Sequence, residues 1–121
     1  MLRDLILRCR TYRRFHQDEP VDKTPLRELV DLARLSGSGW NKQPLKFMLS
    51  CDPQTNARIF PHLTWAAHLK GWRGPAEGER PAAYIIVLGN RDIGGNVKED
   101  CAIAAHSILL GATEKGLGGC M

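Results

Sequence analysis

The apolar positions near the start of the chain recur at helical spacing. Within residues 2–8, Leu2, Leu5 and Ile6 fall on one side of a helix, and Leu7 lies beside them. A polar stretch follows, in which this spacing is lost. The pattern therefore predicts a short first helix over residues 2–8.

A second stretch of helical spacing begins after that polar segment. Thr24 suits the N-cap position, Pro25 suits the first helical position, and Gly37 suits the end of the helix. The sequence therefore predicts an amphipathic helix between Thr24 and Gly37. Its apolar stripe follows the spacing i, i+3, i+4, i+7 and consists of Leu26, Leu29, Val30 and Ala33.

Two short apolar runs predict strands. Residues 45–51 ("LKFMLSC") form the first run. Residues 83–89 ("AYIIVLG") form the second, which is continuous, rich in β-branched residues and expected to be buried on both faces. Residues 53–60 are expected to form a short helix between them. Residues 71–82, with three glycines and two prolines, predict a loop.

The last predicted element is a long helix from Val97 to Lys115, which Gly116 ends. Its centre, "CAIAAHSILLGA", is apolar nearly all round, a pattern typical of a helix buried in a core or an interface. Two strands do not make an independently stable sheet, so this helix needs further cover. We expect that cover from a partner subunit and from further chain after Met121.

The composition indicates a single globular domain over residues 1–121. The chain is 43% hydrophobic and 25% charged, which excludes a disordered protein. Its net charge of +4 belongs entirely to residues 1–14, which contain five arginines and one aspartate, because the rest contains 12 basic and 12 acidic residues. This distribution favours a local anionic partner over a generally basic surface.

The four cysteines and four histidines form no recognisable metal or disulfide motif. The cysteines are widely spread without a CxxC pair, and no secretory segment precedes the domain, so we expect reduced thiols and a cytoplasmic protein. We expect no metal and no membrane span. His106, inside the apolar helix, is expected to be a buried histidine rather than a ligand.

The arginine-rich stretch "CRTYRRF", residues 9–15, has three possible interpretations. It could be a solvated loop. It could also be a phosphate cradle, because the planar guanidinium fork matches phosphate oxygens, with the Thr11 hydroxyl and free backbone amides completing it. Nucleic acid is the third possibility, but no nucleic-acid-binding module is visible.

The stretch "SGSGWNKQPLKF", residues 36–47, could simply be a helix end that turns into a strand. That interpretation explains its glycines but not the grouping of Ser38, Asn41 and Gln43. These neutral donors and acceptors suit the polar edge of a planar heterocycle. Farther along the chain, Trp65 and Trp72 could stack on a ligand or anchor a lid, and the sequence does not distinguish these roles.

Together the two stretches resemble the nitroreductase family of flavin-dependent oxidoreductases. The resemblance rests on "R-[ST]-x-R-x-F" after a first helix, and on "S-x-x-N-x-Q-P" that leads from a second helix into a strand. "GWRGPAEGERPAAYIIVLG" is similar to the family's variable loop and central strand. "EDCAIAAHSILLGATEKGLGGC" is similar to its long dimer-forming helix.

The resemblance implies an α+β fold of the α/β/α type, with a mostly antiparallel central sheet and a long buried helix at a dimer interface. It implies a homodimer that binds FMN between its subunits, takes hydride from NADH or NADPH, and reduces a nitroaromatic, a quinone or an enone by ping-pong turnover. No protein nucleophile is expected, because the flavin performs the hydride transfer.

The resemblance also implies roles for individual residues. Arg10, Thr11 and Arg13 would hold the FMN phosphate and ribityl chain, and Tyr12 and Arg14 are further candidates for the same role. Many relatives carry a further arginine where Cys9 stands, and they are typically half as long again. The residues expected to contact the flavin, from the second subunit, are Ser38, Asn41 and Gln43.

Two alternatives stand beside the flavin-dependent oxidoreductase. One is a relative that binds flavin without turnover. The other, which the sequence favours least, is a small basic domain that binds nucleic acid.

Overall fold

The computed structural model describes all 121 residues, and the predicted helices and strands are all present. Two of the helices pack against one face of a small antiparallel sheet, so the expected α+β class is confirmed. No helix combines the length and the apolar character needed to cross a membrane. The elements, in chain order, are α1 (Leu2–Arg8), α2 (Lys23–Leu35), β1 (Leu45–Ser50), α3 (Pro53–Ile59), β2 (Tyr84–Gly89) and α4 (Val97–Glu114), with single 3₁₀ turns at Gly39–Asn41 and Phe60–His62.

The core lies where α2 crosses α4. Gly111 is buried at this crossing, and a Cβ atom there would come within 2.9 Å of Leu29 Cδ2 and would overlap Leu32. The missing side chain therefore lets the two helices approach closely. The buried core cluster consists of Leu29, Ala33, Ala104, Ile108 and Ala112, and the half-buried residues packed against it are Leu45, Phe47, Ile85 and Leu117.

The sheet contains two antiparallel strands, with a register that runs from Leu45↔Gly89 to Ser50↔Tyr84. The expectation that the second strand is buried on both faces is wrong for this chain, since no β2 residue is fully buried. Side chains alternate between the two faces of a strand, and the core between α2 and α4 packs on the face that contains Leu45, Phe47 and Ile85. Met48 and Leu88 lie on the opposite face and are exposed.

Helix α2 begins earlier than the sequence pattern suggests. Asp22 is its N-cap, so Thr24 and Pro25 both lie within the first turn, and Ser36 rather than Gly37 follows the last residue. The first N–H groups of a helix have no partner within the helix, so proline is tolerated anywhere in this turn. The predicted cap at Thr24 was therefore wrong by two residues.

The end of α4 agrees with the sequence. Gly116 adopts a left-handed backbone (φ 75°), its N–H donates to Thr113 O, and the N–H of Leu117 donates to Ala112 O. These two hydrogen bonds form a Schellman motif, in which glycine is favoured because it has no Cβ.

Only one face of α4 is buried within the chain, which corrects the expectation of a helix buried all round. The buried face comprises Asp100, Ala104, Ile108, Gly111 and Ala112. Ala102, Ile103 and His106 are exposed on other faces, so His106 is not the buried histidine that the sequence suggested. The helix therefore presents an apolar surface to the outside.

Candidate functional site

The arginine-rich segment leaves the end of α1 in an extended conformation. The Arg10 Nη1 donates to the Ile6 carbonyl at 3.1 Å and to the Cys9 carbonyl at 2.9 Å. Such bonds satisfy carbonyls that a helix C-terminus leaves without partners. They involve one nitrogen of an exposed guanidinium, so the remaining donors of Arg10 are available to a ligand.

Backbone contacts attach this segment to the residues that follow α4. Thr11 forms an isolated parallel bridge with Gly119, and the Tyr12 N–H donates to Gly119 O at 3.0 Å. The Tyr12 ring lies against Gly118, where an added Cβ would come within 2.8 Å of ring atom Cδ2. The predicted phosphate cradle is therefore fixed to the chain just after α4.

Arg14 differs from the other arginines of the segment because its guanidinium is already paired with a carboxylate. Its Nε donates to Glu79 Oε2 at 3.0 Å and its Nη2 to Glu79 Oε1 at 2.5 Å. These hydrogen bonds raise the pKa of Arg14 and lower the pKa of Glu79. The arginines of residues 1–14 that have no carboxylate within 4.0 Å are Arg3, Arg8, Arg10 and Arg13.

The long loop between α3 and β2 is joined to the residues just after the cradle. The Phe15 N–H donates to Glu79 O at 2.8 Å, and Gln17 Oε1 accepts from the N–H groups of Gly78 and Arg80 at 2.7 and 3.1 Å. Sequence reasoning missed both Gln17 and Glu79, because their partners lie more than 60 positions away in the chain.

Trp65 and Trp72 anchor this loop by packing against each other. Their ring centroids lie 6.4 Å apart at 82°, and Trp65 also packs edge-on against Phe15 at 6.4 Å. The Arg80 guanidinium lies 4.1 Å from the centroid of the Phe60 ring beside them. Of the two roles left open by the sequence, the packing supports the anchoring one.

A buried carboxylate holds the second predicted stretch. Asp100, in the first turn of α4, is only 3% exposed. It accepts from the Ser38 hydroxyl at 2.5 Å and from the Gly39 N–H at 2.9 Å. The Ser38 Oγ in turn accepts from the Gln43 N–H at 3.0 Å, so Ser38 holds the loop together and keeps one acceptor position free.

The loop itself has an unusual backbone. Trp40, Asn41 and Gln43 all have positive φ angles, of 56°, 53° and 52°. Residues other than glycine rarely adopt this conformation, and it persists only where surrounding contacts impose it. Here the Gln43 side-chain amide donates to Asn41 Oδ1 at 2.6 Å, and both amides are exposed. The loop therefore presents polar side chains to solvent from a fixed backbone.

Asp100 was not predicted as a functional residue, although the sequence carries a signal for it. It precedes Ala104 by four positions and Ile108 by eight, so it lies on the buried stripe of the helix. A carboxylate at such a position requires hydrogen-bond partners. Hydrogen bonds from the Gly39 N–H and then from the Ser38 hydroxyl lower its pKa, and burial opposes this effect more weakly.

These contacts predict an acid-sensitive loop. A carboxyl whose pKa is lower in the folded than in the unfolded chain stabilises the fold above its unfolded pKa, and loses this contribution as pH falls through the folded value. We expect thermal stability to fall as the pH is lowered from about 5, and to fall less steeply in Asp100→Asn. Asp52 and Glu79 also have lowered pKa values, but both proteins contain them, so they contribute equally to the two pH profiles. If stability falls equally steeply with pH in the wild type and in Asp100→Asn, Asp100 does not have this role.

Within one chain, the two predicted halves of the site do not meet. Gly119, which holds the arginine segment, packs against Leu109, whereas Asp100 holds the amide loop. Leu109 follows Asp100 by nine residues, which is about two and a half helical turns and roughly 14 Å along the axis. The arginine segment and the amide loop therefore lie on opposite faces of α4.

The family model named Nitroreductase matches residues 6–121. The chain belongs to the nitroreductase family. The match includes both predicted stretches and nearly all of the chain, so the resemblance seen in the sequence is confirmed. No group of three or more His, Cys, Asp or Glu side chains is arranged to hold a metal ion.

Individual members of the nitroreductase family show the same fold. The chain is 28% identical over 138 residues to an iodotyrosine deiodinase of Thermotoga neapolitana, covering 98% of this chain and 71% of that protein. A crystal structure of iodotyrosine deiodinase bound to FMN and 3-iodo-L-tyrosine has a TM-score of 0.75 at 27% identity, covering 98% of this chain and 72% of the other.

A third relative is the crystal structure of a protein from Parabacteroides distasonis named for NADH dehydrogenase or NAD(P)H nitroreductase activity. It has a TM-score of 0.73 at 25% identity, and the match covers 95% of this chain. The chain spans 63% of the length of that structure. The named relatives thus include two different reactions within one fold.

Proposed function

We propose that this chain is a flavin-dependent oxidoreductase that binds FMN between two copies of itself, accepts hydride from NADH or NADPH, and reduces a nitroaromatic, a quinone or a similar small acceptor. The observation that carries the proposal is that the arginine segment and the amide loop form two preformed surfaces beside opposite faces of α4. One presents guanidinium groups that have no carboxylate partner. The other presents side-chain amides, and both are expected from the family motifs.

The arginine segment supplies suitable chemistry for the phosphate end of FMN. Arg10 and Arg13 have no carboxylate partner, and Thr11 adds a hydroxyl within the same short segment. Charged hydrogen bonds from guanidinium groups to phosphate are among the strongest that proteins make. Tyr12 contributes by fixing the segment to Gly118 and Gly119.

The amide loop supplies suitable chemistry for the ring end. Asn41 and Gln43 each offer a donor and an acceptor, which the edge of a flavin ring requires. The backbone is already held by Asp100 and Ser38, so little conformational entropy remains to be lost on binding. Asp100 acts through the loop and has no expected contact with the cofactor.

A second copy would bring the two surfaces together. They lie on opposite faces of α4, so neither reaches the other within one chain. Ala102 and Ile103 give α4 an exposed apolar surface, and α1 adds exposed Leu2, Ile6 and Leu7. Exposed apolar surface of this kind is typical of an interface, and a twofold dimer would place each arginine segment near a partner's amide loop.

The remaining chemistry needs no protein nucleophile. When bound, FMN supplies hydride uptake from a nicotinamide and delivery of the electrons to the acceptor. The chain's own residues bind and orient: Arg10 and Arg13 fix one end, and Asn41 and Gln43 fix the other.

The similarity to an iodotyrosine deiodinase over 98% of the chain favours a second reaction at the same site. In a reductive dehalogenation, two electrons and one proton replace the halide of a halogenated phenol by hydrogen, and halide is released. Halide release from an iodophenol, measured with the reduced protein, distinguishes this reaction from reduction of a nitroaromatic or a quinone.

Anaerobic spectroscopy of the purified protein tests the proposal. A flavin spectrum that bleaches on addition of NADH or NADPH, and returns on addition of an acceptor, is the expected result. A flavin spectrum that does not bleach indicates binding without turnover. A protein that cannot be reconstituted with FMN, but binds DNA in a salt-dependent way, would overturn the proposal in favour of nucleic-acid binding.

A further inference from the structure

Trp40 is the most exposed large aromatic side chain in the molecule. Trp40 is 89% exposed, whereas Trp65 and Trp72 are half-buried against each other. An indole is among the largest apolar surfaces a residue can offer, so leaving it in water forgoes a substantial hydrophobic gain. Such exposure in a fixed segment points to a ligand or partner that covers the ring.

The backbone around Trp40 is rigid. Its left-handed conformation is flanked on one side by Gly39, whose N–H is bonded to Asp100. On the other side, the Asn41 N–H donates to Ser38 O at 2.9 Å. A Cβ at Gly39 would come within 2.7 Å of the Asn96 side chain, so the chain passes close to α4 here. These contacts fix the backbone at Trp40, so binding would cost little further backbone entropy.

Trp40 lies outside the packed core and beside the proposed flavin site. It lies next to Asn41, which is proposed to contact the flavin, and no side chain of the same molecule covers it. The face of an indole is electron-rich, so it stacks favourably on an electron-poor planar ring. Nitroaromatics and quinones have such rings, whereas a non-aromatic enone does not.

We propose that Trp40 stacks on the planar, electron-poor ring of the acceptor and makes the protein selective for acceptors with such a ring. This inference rests on the proposed function. The oxidised flavin ring has the same chemistry as the ring of such an acceptor, so the test must distinguish the two sources.

The test uses the full native chain loaded with FMN and compares Trp40→Ala, Trp40→Leu and Trp40→Phe with the wild type. The acceptors are menadione, a planar naphthoquinone, and 2-cyclohexenone, which has no aromatic ring. We expect kcat/KM for menadione to fall about tenfold in the alanine and leucine variants, mainly through KM, and by less than about threefold in the phenylalanine variant. Values for 2-cyclohexenone should stay within about twofold of the wild type.

Three results would overturn the role of Trp40. An equal fall for both acceptors would mean that Trp40 supports the site as a whole. Weaker FMN binding in Trp40→Ala, measured by flavin fluorescence, would assign the stacking to the cofactor ring. A changed native mass would assign Trp40 to the contact between copies. A wild-type protein that binds no FMN or is not reduced would instead overturn the proposed function, and the inference with it.

Discussion

Replacing Arg10 with alanine is expected to weaken FMN binding by about 1.5–3 kcal/mol, or roughly 10- to 150-fold in Kd. The reason is the loss of a charged hydrogen bond to the phosphate from a guanidinium that has no carboxylate partner. Arg10→Lys keeps the charge but loses the planar fork, so its loss should be smaller. The measurement is a titration of the FMN-free protein, followed by quenching of flavin fluorescence.

Arg14→Ala is the matched control for this experiment. Arg14 lies four residues from Arg10 and carries the same charge, but its guanidinium already binds Glu79 through both carboxylate oxygens. We therefore expect the FMN affinity of Arg14→Ala to match that of the wild type. An equal loss of FMN affinity in the two variants would mean that only the general positive charge of the segment matters. An unchanged affinity in Arg10→Ala would mean that the FMN phosphate binds elsewhere.

Replacing Leu29 with alanine is expected to lower the free energy of unfolding by about 3 kcal/mol. Leu29 is only 3% exposed, in the core where α2 crosses α4. The truncation removes apolar contacts and leaves a cavity. Because α2 and α4 already approach closely at Gly111, they cannot move together to fill it. Urea unfolding of the FMN-free protein measures the change without a contribution from ligand binding.

Leu35→Ala is the control for the core, because it makes the same chemical change at the end of the same helix. Leu35 is 66% exposed, so its truncation should change the free energy of unfolding by no more than about 0.5 kcal/mol. Similar losses at Leu29 and Leu35 would contradict the placement of the core between α2 and α4.

The spacing of apolar residues and the residues that end helices located the helices and strands well. Helix α4 shows this most clearly, because glycine at position 116 supplies the left-handed residue that ends it. The start of α2 was less predictable. Proline fits any position of a first turn, so Pro25 could not fix the boundary, and Asp22 became the cap.

Burial was harder to predict than secondary structure. A continuous apolar run such as residues 84–88 is typical of a strand covered on both faces, but no β2 residue is fully buried and Leu88 is exposed. Likewise, the apolar composition of α4 did not reveal which face would be covered. Burial depends on neighbouring elements, which a local pattern does not contain.

For the candidate site too, the sequence indicated local chemistry but not the contacts between distant residues. The residue types at Arg10, Asn41 and Gln43 indicated the chemistry, but not that Asp100 holds the loop, because that contact joins residues about 60 positions apart. The family resemblance assigned Arg10 to the phosphate but left the role of Arg14 open. Only the pairing of Arg14 with Glu79 separates an arginine that fixes a loop from one that is free for a ligand.

The shared site between two copies can be tested by mixing two damaged chains. One chain carries Arg10→Ala and Arg13→Ala, and the other carries Asn41→Ala and Gln43→Ala, so each alone has only impaired sites. If the site spans two copies, random pairing gives about half mixed dimers, each with one intact site, and FMN binds about a quarter of all sites with wild-type affinity. If the mixture binds no FMN with wild-type affinity, FMN is not bound between two copies and each site is built within a single chain.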